Sequence, residues 1–196
     1  TPLKYRGERK TTIDYENGSI VRVFYPSSTT TPSSLARSLT SPILYIDEAA
    51  HIPHMRLAYA SAQPTLSRAR EQAKKNNYPY FTLVTTTPNG SVGTGQWFFD
   101  MWNNAIDSEE IFDNAGNRLP DVDHIVNNKV KNGFVRIRFH WSEDPAKDEH
   151  WYNEQCRDFN FDERMINQEL DLEFAGATNC IFPDKFLSEV VPFLVT

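Results

Sequence analysis

Residues 43–48 place four apolar side chains directly before two adjacent carboxylates, and this stretch constrains the fold of the chain more than any other. An unbroken apolar run of this length is typical of a strand that is buried on both faces, as in a parallel sheet. Ligands of open α/β sheets bind beyond the carboxyl ends of the strands, so Asp47 and Glu48 lie where a site is expected. The simpler interpretation is a strand end at which two carboxylates meet solvent.

Adjacent acids at a strand end have a defined chemistry in nucleotide hydrolases. One acid binds Mg²⁺, and a second positions or activates the attacking water. In this sequence Asp47 takes the first position and Glu48 the second. The two residues are therefore candidates for a metal ligand and a general base.

A second apolar segment, residues 80–84, also ends in polar residues, the string Thr85-Thr86-Thr87-Pro88-Asn89-Gly90. Proline and glycine at this point end a strand sharply. Strand, helical crossover and strand together make a βαβ unit. We therefore predict an α/β fold with the two strands as parallel neighbours, which brings Asp47 beside the three threonine hydroxyls.

The rest of the chain has the periodicities and turn signals of short helices and strands. We predict strands at 11–16, 19–25 and 134–141, a short helical turn at 35–39, and helices at 63–75, 96–106, 148–158 and 162–169. Asn17 and Gly18 predict a hairpin turn. Pro64 suits the first turn of a new helix, and Asn160 with Glu163 predicts a capping box.

Composition argues against two classes of protein. The formal net charge of −6 disfavours a domain that coats nucleic acid by bulk electrostatics, although a local basic contact stays open. No stretch approaches the roughly 20 apolar residues of a membrane span, and no signal-peptide pattern begins the chain, so we expect a soluble cytoplasmic protein. Cys156 and Cys180 have no metal-ligand spacing and are expected to be buried reduced thiols.

Together these motifs resemble the ATPase region of the large terminase subunit of tailed bacteriophages, the motor that packages DNA into procapsids. The main matches are residues 44–48 as the Walker B strand and residues 85–90 as the coupling motif. Supporting matches are Asn17-Gly18-Ser19, Gln63-Pro64, Phe98-x-Asp100-x-Trp102, Trp141, Gln168-Glu169 and Glu173-Phe174-x-Gly176. The threonine string at this distance from Asp-Glu is the most selective of them.

The resemblance implies a fold and a domain division. The fold would be a partial RecA-like parallel-sheet core of the ASCE class of P-loop NTPases, followed by a small α+β lid subdomain. Residues 1–91 would form the C-terminal part of the ATPase core and residues 92–176 the lid. Residues 177–196 would be a linker and the start of a nuclease domain.

The resemblance also implies residue roles, with ATP and Mg²⁺ as cofactors. Asp47 would bind Mg²⁺, and Glu48 would be the catalytic glutamate. Thr85, Thr86 and Thr87 would sense the γ-phosphate and transmit hydrolysis to the part that moves DNA. Arg37 occupies the place of an arginine that reaches the ATP of a neighbouring subunit in some members, and its alternative role is a surface salt bridge.

The implied partners are double-stranded DNA, the portal protein, the small terminase subunit and further copies of the chain in a ring, without a membrane. The implied location is the host cytoplasm, at the procapsid portal. One departure matters: the family's phosphate-binding Gly-Lys-Ser/Thr loop is missing from the sequence. We therefore expect a fragment that begins after this Walker A loop, ends before the nuclease domain, and is a poor ATPase in isolation.

The same residues also suggest other functions. Asp-Glu-Ala-Ala is similar to the Asp-Glu-Ala-His box of superfamily 2 helicases, which need a second RecA-like domain that the sequence does not show. A fragment of the same fold can also serve as a non-catalytic subunit-interface or DNA-binding module. His51 and His54 suggest zinc, but His-Ile-Pro-His cannot present both rings on one regular helix, which disfavours the metal.

Two groups of basic residues are candidate DNA contacts. Those of the helix at 63–75 are more typical of a solvated face. Those of the strand at 134–141 form either a DNA contact or a lid surface. The two groups are Arg68, Arg70, Lys74 and Lys75 on the helix, and Arg136, Arg138 and His140 on the strand.

Overall fold

The computed structural model describes residues 5–9, 11–24, 40–108, 115, 117, 125–126 and 129–174. The chain divides into two compact units. One comprises Thr1–Ile43 and Arg56–Phe81, and the other comprises Leu44–Met55 and Thr82–Thr196. The domain boundaries predicted at residues 91 and 176 stay predictions.

The first unit begins with a three-stranded antiparallel sheet. Its strands are β1 (Tyr5–Arg9), β2 (Thr12–Tyr15) and β3 (Ile20–Arg22), in that order. The predicted hairpin is confirmed, since β2 pairs with β3 and Gly18 adopts φ 84° in the turn between them. Glycine takes this left-handed conformation without steric cost, which explains the turn. Strand β1 was not predicted.

Helix α1 (Met55–Lys75) is continuous through Pro64, so the prediction that a new helix starts there is wrong. An internal proline loses one helical hydrogen bond and costs about 3 kcal/mol. Burial on both sides of Pro64 offsets this cost, because Ala62 and Leu66 are only 2% and 0% exposed. A buried leucine side chain alone stabilises by about 1.5–3 kcal/mol.

The basic residues of α1 do not all lie in solvent. Arg68, Lys74 and Lys75 are exposed, as predicted. Arg70 is half-buried, and its guanidinium donates to the backbone carbonyls of Pro42 and Phe81, each at 3.4 Å. Arg70 therefore ties the helix to the beginnings of two apolar strands, at residues 42 and 81.

Strands β4 (Ile43–Ile46) and β5 (Phe81–Val84) form a two-stranded sheet. The Phe81 amide donates to the Pro42 carbonyl at 3.2 Å, and the Thr85 amide donates to the Ile46 carbonyl at 2.9 Å. In both bonds the donor residue lies the same number of residues after the acceptor residue. This constant separation is characteristic of parallel strands, because in an antiparallel pair it changes from one bond to the next. The predicted parallel neighbours are confirmed.

The prediction that β4 is buried on both faces is wrong. Ile43 and Tyr45 are 39% and 56% exposed, and Phe81 and Leu83 are both 48% exposed. Alternate residues of a strand share a face, so these four side chains make one exposed face of the sheet within the part of the chain that is described. Ile46 on the other face is buried. The unbroken apolar run therefore belongs to a strand that is buried on one face only.

Within its described residues the second unit has three α-helices: α2 (Gln96–Asn103), α3 (Glu149–Asp158) and α4 (Glu163–Glu169). Helix α2 ends three residues before its predicted end at residue 106. Asp148 caps α3, and the Asp162 carboxylate caps α4 by accepting the amides of Arg164 and Met165. The capping box predicted at Asn160 is wrong, because Asn160 has φ 53° and precedes the actual cap.

Short strands complete this unit. Strand β6 (Ile106–Asp107) pairs in parallel with β9 (Val135–Arg136), and β7 (Ile125–Val126) pairs with β8 (Lys129–Val130) as a hairpin. The predicted strand at 134–141 is therefore wrong beyond its first residues. Only Val135 and Arg136 of this segment are in a strand. The segment ends in a 3₁₀ helix at Trp141–Glu143.

Aromatic rings fill the second unit's core. Trp97 and Phe98 are buried, and Phe174 packs on Phe98 and on Phe99 with centroid distances of 5.9 and 5.2 Å. Cys156 is a buried free thiol, as predicted. No helix within the described ranges is long and apolar enough to cross a bilayer. The predictions on Arg37, Cys180, the turn at 35–39 and Gly176 lie outside those ranges.

Candidate functional site

The tips of β4 and β5 bring Asp47 and Thr85 into direct contact. The Thr85 hydroxyl donates to Asp47 Oδ1 at 2.7 Å. Because that bond uses the threonine proton, the Tyr45 hydroxyl is the donor in its own bond to Thr85 Oγ1, at 2.9 Å. The Glu48 amide also donates to Asp47 Oδ1, at 3.1 Å. These contacts confirm the predicted proximity of the two strand ends for Thr85.

These donors hold Asp47 in its charged form. The pKa of Asp47 is lowered from 3.8 chiefly by the Thr85 hydroxyl; burial, the next largest effect, opposes this, and Tyr45 and the Glu48 amide lower the pKa further. Donors that favour a carboxylate over a carboxylic acid have this effect generally. Asp47 is therefore ionised wherever the protein works near neutral pH.

Replacing Thr85 with valine should raise the pKa of Asp47, because it removes the largest cause of the lowering. With its pKa lowered in the fold, Asp47 adds stability above its ordinary value of 3.8 and loses it as the pH falls through the lowered pKa. In Thr85→Val the folded-state pKa of Asp47 should lie closer to 3.8, so Asp47 should contribute less stability. A carboxyl-carbon NMR titration measures the shift.

The matched control is Thr86→Val, one residue away, since the Thr86 hydroxyl bonds to Ala50 and Thr87 and not to Asp47. We expect the pKa of Asp47 to be unchanged in that variant. An Asp47 pKa in Thr85→Val equal to that of the wild type would contradict the assigned hydrogen bond.

Glu48 turns the chain out of the strand in a left-handed conformation, with φ 52° and ψ 38°. This conformation costs a non-glycine residue about 1 kcal/mol or more, and residues so held are frequent at functional sites. The 3₁₀ turn Ala49–His51 follows directly, and Ala49 and Ala50 are fully buried. The buried turn fixes the backbone, while the Glu48 side chain stays 64% exposed. Glu48 therefore presents its carboxylate to solvent beside Asp47.

The three threonine hydroxyls do not all contact Asp47. Thr85 does, whereas Thr86 and Thr87 contact residues of the 3₁₀ turn Ala49–His51. Thr86 Oγ1 accepts the Ala50 amide at 3.2 Å. Thr87 Oγ1 contacts His51 Nε2 at 3.2 Å and Glu169 Oε1 at 3.4 Å. Only the first threonine touches the predicted metal ligand, and the other two bind the segment that follows Glu48.

His51 and Glu169 are residues of this site to which the sequence assigned no such role. His51 was considered only as a zinc ligand, and Glu169 only as part of a supporting motif. One sequence signal was present for His51, because a residue three positions after Glu48 lies on the same side of a helical turn. No local pattern links Glu169 to Thr87, since the two residues are far apart in the chain.

Asn89 fixes the end of the threonine string against the same turn. Its side chain is 8% exposed, and its amide donates to the Ala50 carbonyl at 3.0 Å. On the other side Gly95 packs so closely that a Cβ there would overlap the Asn89 carbonyl oxygen and lie 2.8 Å from that of Gly90. The loop after β5 is therefore held between the backbone at Ala50 and the backbone at Gly95.

Gly95→Ala should destabilise the chain by about 3 kcal/mol, at the upper end of the range for overpacked interiors. The backbone conformation of Gly95, with φ −75°, suits alanine, so the cost arises from overlap alone. Urea unfolding measures it.

Gly93→Ala is the matched control in the same turn. A Cβ there meets nothing within 4 Å, but φ is +66°, so only about 1 kcal/mol is expected from backbone strain. Equal or smaller loss in Gly95→Ala than in Gly93→Ala would contradict the close packing of Gly95 on Asn89.

The chemistry of these residues fits Mg²⁺ better than zinc. Among the described residues, no three His, Cys, Asp or Glu side chains come together as a metal-binding group. Mg²⁺ usually takes only one or two carboxylates, with water and substrate phosphates as further ligands, and Asp47 with Thr85 supplies such oxygens. His51 bonds to Thr87, while His54 is exposed and has φ 57°, so the pair shares no coordination geometry.

An open groove of about 580 Å³ begins at Thr87 and Glu169. Aromatic side chains dominate its walls, and Trp141 stacks on Tyr152 with ring centroids 4.9 Å apart. The lining residues are Thr87, Phe139, His140, Trp141, Glu143, Asp144, Lys147, Trp151, Glu169, Leu170 and Leu172. The groove reaches the threonine string at Thr87 but is not lined by Asp47, Glu48 or Thr85.

The arginines of the segment at 134–141 have protein partners. Arg136 donates from Nε and Nη2 to Asp107 Oδ2 at 3.1 and 2.9 Å, and Arg138 donates to the Asp171 carbonyl at 2.8 Å. His140 Nδ1 lies 2.7 Å from the Ser142 hydroxyl. These contacts give the three residues structural roles, and the suggested DNA contact stays a hypothesis.

No family model matches the chain, and no solved structure matches it.

Proposed function

We propose that the chain is the ATPase motor region of a tailed-phage large terminase subunit, which couples ATP hydrolysis to the packaging of double-stranded DNA. The observation that carries the proposal is the bond from Thr85 to Asp47 across two parallel strand tips, with Glu48 immediately beyond. Carboxyl ends of parallel strands are where such sheets bind nucleotides. A partial RecA-like core with a lid is the fold that accompanies this function.

Asp47 would hold Mg²⁺ through the carboxylate oxygen that is not used by Thr85 and the Glu48 amide, both of which bond to Oδ1. Bound Mg²⁺ neutralises charge on the phosphates and orients them. Glu48 accepts a proton from the attacking water, and its exposed carboxylate is accessible for this role. Thr85 favours the ionised form of Asp47 and holds it in place, so a change at the γ-phosphate would reach the threonine string directly.

The remaining partners follow from the same proposal. In the assembled motor, copies of the chain form a ring on the portal protein in the host cytoplasm, and the small terminase subunit delivers the DNA. Arg37 would then reach the ATP of a neighbouring copy. The competing functions, a helicase-like translocase fragment and a non-catalytic interface or DNA-binding module, have no contact in the site that favours them.

DNA packaging by the full-length protein tests the proposal. With procapsids, portal protein and linear duplex DNA, we expect ATP-dependent protection of the DNA from nuclease, and loss of that protection in Glu48→Gln. Strand separation without protection would favour the helicase-like alternative. Protection that persists in Glu48→Gln would overturn the proposed site.

The isolated 196-residue chain should bind Mg·ATP weakly, with a Kd above about 100 μM. A nucleotide triphosphate is held chiefly by the backbone amides and lysine of a phosphate-binding loop, and the sequence contains no Gly-Lys-Ser/Thr. Titration calorimetry measures this binding. Micromolar affinity would show that another segment supplies the phosphate site.

A further inference from the structure

Four side chains form a continuous series of contacts from the site to helix α4. His51 Nε2 lies 3.2 Å from Thr87 Oγ1 and 3.9 Å from Glu48 Oε2. Thr87 Oγ1 lies 3.4 Å from Glu169 Oε1, which also accepts the Gln168 side-chain amide at 2.7 Å. The series joins the candidate general base to the last turn of a helix that is remote in sequence.

The acceptors in this series fix the direction of its hydrogen bonds. An ionised Glu169 can only accept, so the Thr87 hydroxyl donates to it. The Thr87 proton is then used, and Thr87 Oγ1 must accept from His51, which places a proton on His51 Nε2. The order of donation is therefore from His51 to Thr87 to Glu169.

The same His51 N–H also lies close to the Glu48 carboxylate. Its nitrogen is at bonding distance from Thr87 but beyond that distance from Glu48 Oε2, at 3.9 Å. One N–H cannot form a full hydrogen bond to Thr87 Oγ1 and to Glu48 Oε2 at the same time. A change in the bond to Thr87 therefore changes the strength of the hydrogen bond that His51 can donate to Glu48. The ring is partly accessible to solvent, since its side chain is 33% exposed.

We propose that His51 is a positioning residue that orients the Glu48 carboxylate, and that Glu169 controls this orientation through Thr87. The catalytic part of this inference rests on the proposed function. The hydrogen-bond series itself does not. The contact with Glu169 fixes the Thr87 hydroxyl as the acceptor for the His51 N–H. Without that contact the Thr87 hydroxyl proton is free to turn toward His51, and the His51 N–H can then donate to Glu48.

Steady-state ATP hydrolysis by the full-length protein tests the catalytic part. We expect His51→Ala to lower kcat by about 10- to 100-fold while KM for ATP stays within about 3-fold, because a misoriented group affects the chemical step more than binding. His51→Gln, whose amide can also donate, should recover part of the loss. The control is His54→Ala, an exposed histidine three residues on, which should match the wild type.

A double variant tests the control by Glu169. If Glu169 acts only through Thr87 and His51, adding Glu169→Ala to His51→Ala should change kcat no further, although Glu169→Ala alone changes it. Multiplicative effects of the two substitutions would overturn the series. So would a His51→Ala enzyme with wild-type kcat, or one whose loss appears equally in His51→Gln.

A spectroscopic measurement tests the series without ATP. In ¹⁵N-labelled chain we expect an exchange-protected Nε2–H resonance of His51 that is lost in Thr87→Val and weakened in Glu169→Ala. A resonance that is unchanged in Thr87→Val would overturn the inference even if the protein hydrolyses ATP. A wild-type protein without ATPase activity, but with this NMR pattern, would overturn the proposed function and leave the hydrogen-bond series standing.

Discussion

If Glu48 is the proposed general base, Glu48→Gln should lower kcat for ATP hydrolysis by the full-length protein by about 100- to 10,000-fold, while the affinity for Mg·ATP changes little. This is the expected result for a general base, because an amide of the same shape cannot accept a proton from water. The left-handed backbone at Glu48, with φ 52°, is kept by the buried turn that follows it, so the substitution should not disturb the fold. Steady-state kinetics and equilibrium nucleotide binding separate the two effects.

The matched control for this substitution is Glu71→Gln, which removes the same charge from an exposed position on α1. We expect wild-type turnover in the control. A Glu48→Gln enzyme that turns over ATP at a near-normal rate would remove the catalytic assignment of Glu48. Equal loss in both variants would mean that net charge, and not a general base, causes the effect.

Asp47→Asn should lower kcat/KM for ATP by about 100-fold or more and raise the Mg²⁺ concentration needed for half-maximal rate. Removing a metal ligand takes away transition-state charge stabilisation of several kcal/mol. Asparagine can still accept the Thr85 hydroxyl bond, so the contact between the strand tips should persist and the loss should follow from the missing charge. Hydrolysis rates measured across a Mg²⁺ titration give both quantities.

Asp158→Asn, at an exposed position at the end of α3, is the charge-matched control and should show the wild-type Mg²⁺ dependence. An unchanged Mg²⁺ dependence in Asp47→Asn would contradict the assignment of Asp47 as the metal ligand. The pattern expected for Asp47→Asn differs from that for Glu48→Gln, in which the Mg²⁺ requirement should stay normal.

The pairing of the two strand tips could be predicted from sequence because its causes are local. Two apolar strands that end in polar residues and are joined by a helical crossover pair in parallel by a strong geometric preference. The hairpin at Asn17 and Gly18 was predictable for a similar reason, since the turn needs a residue that tolerates positive φ. Such features depend on a few neighbouring residues.

Predictions failed where tertiary context decided the outcome. Pro64 lies inside α1 because buried Ala62 and Leu66 flank it, which no helix-start rule includes. The alternation at 134–141 resembles a strand, yet Phe139 is 78% exposed and only two residues find a partner strand. Periodicity shows which side chains share a face, but it does not show whether that face is covered.

The contacts among His51, Thr87 and Glu169 also depend on tertiary structure. His51 meets Thr87, and Thr87 meets Glu169, across sequence separations that local patterns do not cover. The threonine string was correctly associated with Asp47, but only Thr85 contacts it. Sequence therefore indicated the chemical groups at the strand tips, and the fold determined which of them meet.

In the proposed function, Asp47 would hold the metal of a bound nucleotide, with Thr85 bonded to Asp47 and Glu48 next to it in the chain. Metal-directed cleavage tests this most directly: Fe²⁺ replaces Mg²⁺ in the full-length protein with ATP, peroxide is added, and mass spectrometry locates the backbone cuts. The account predicts ATP-dependent cuts in two segments of the chain at once, around Asp47 and around Thr85, and their loss in Asp47→Asn. Cuts elsewhere, or cuts at these positions that persist in Asp47→Asn, would contradict it.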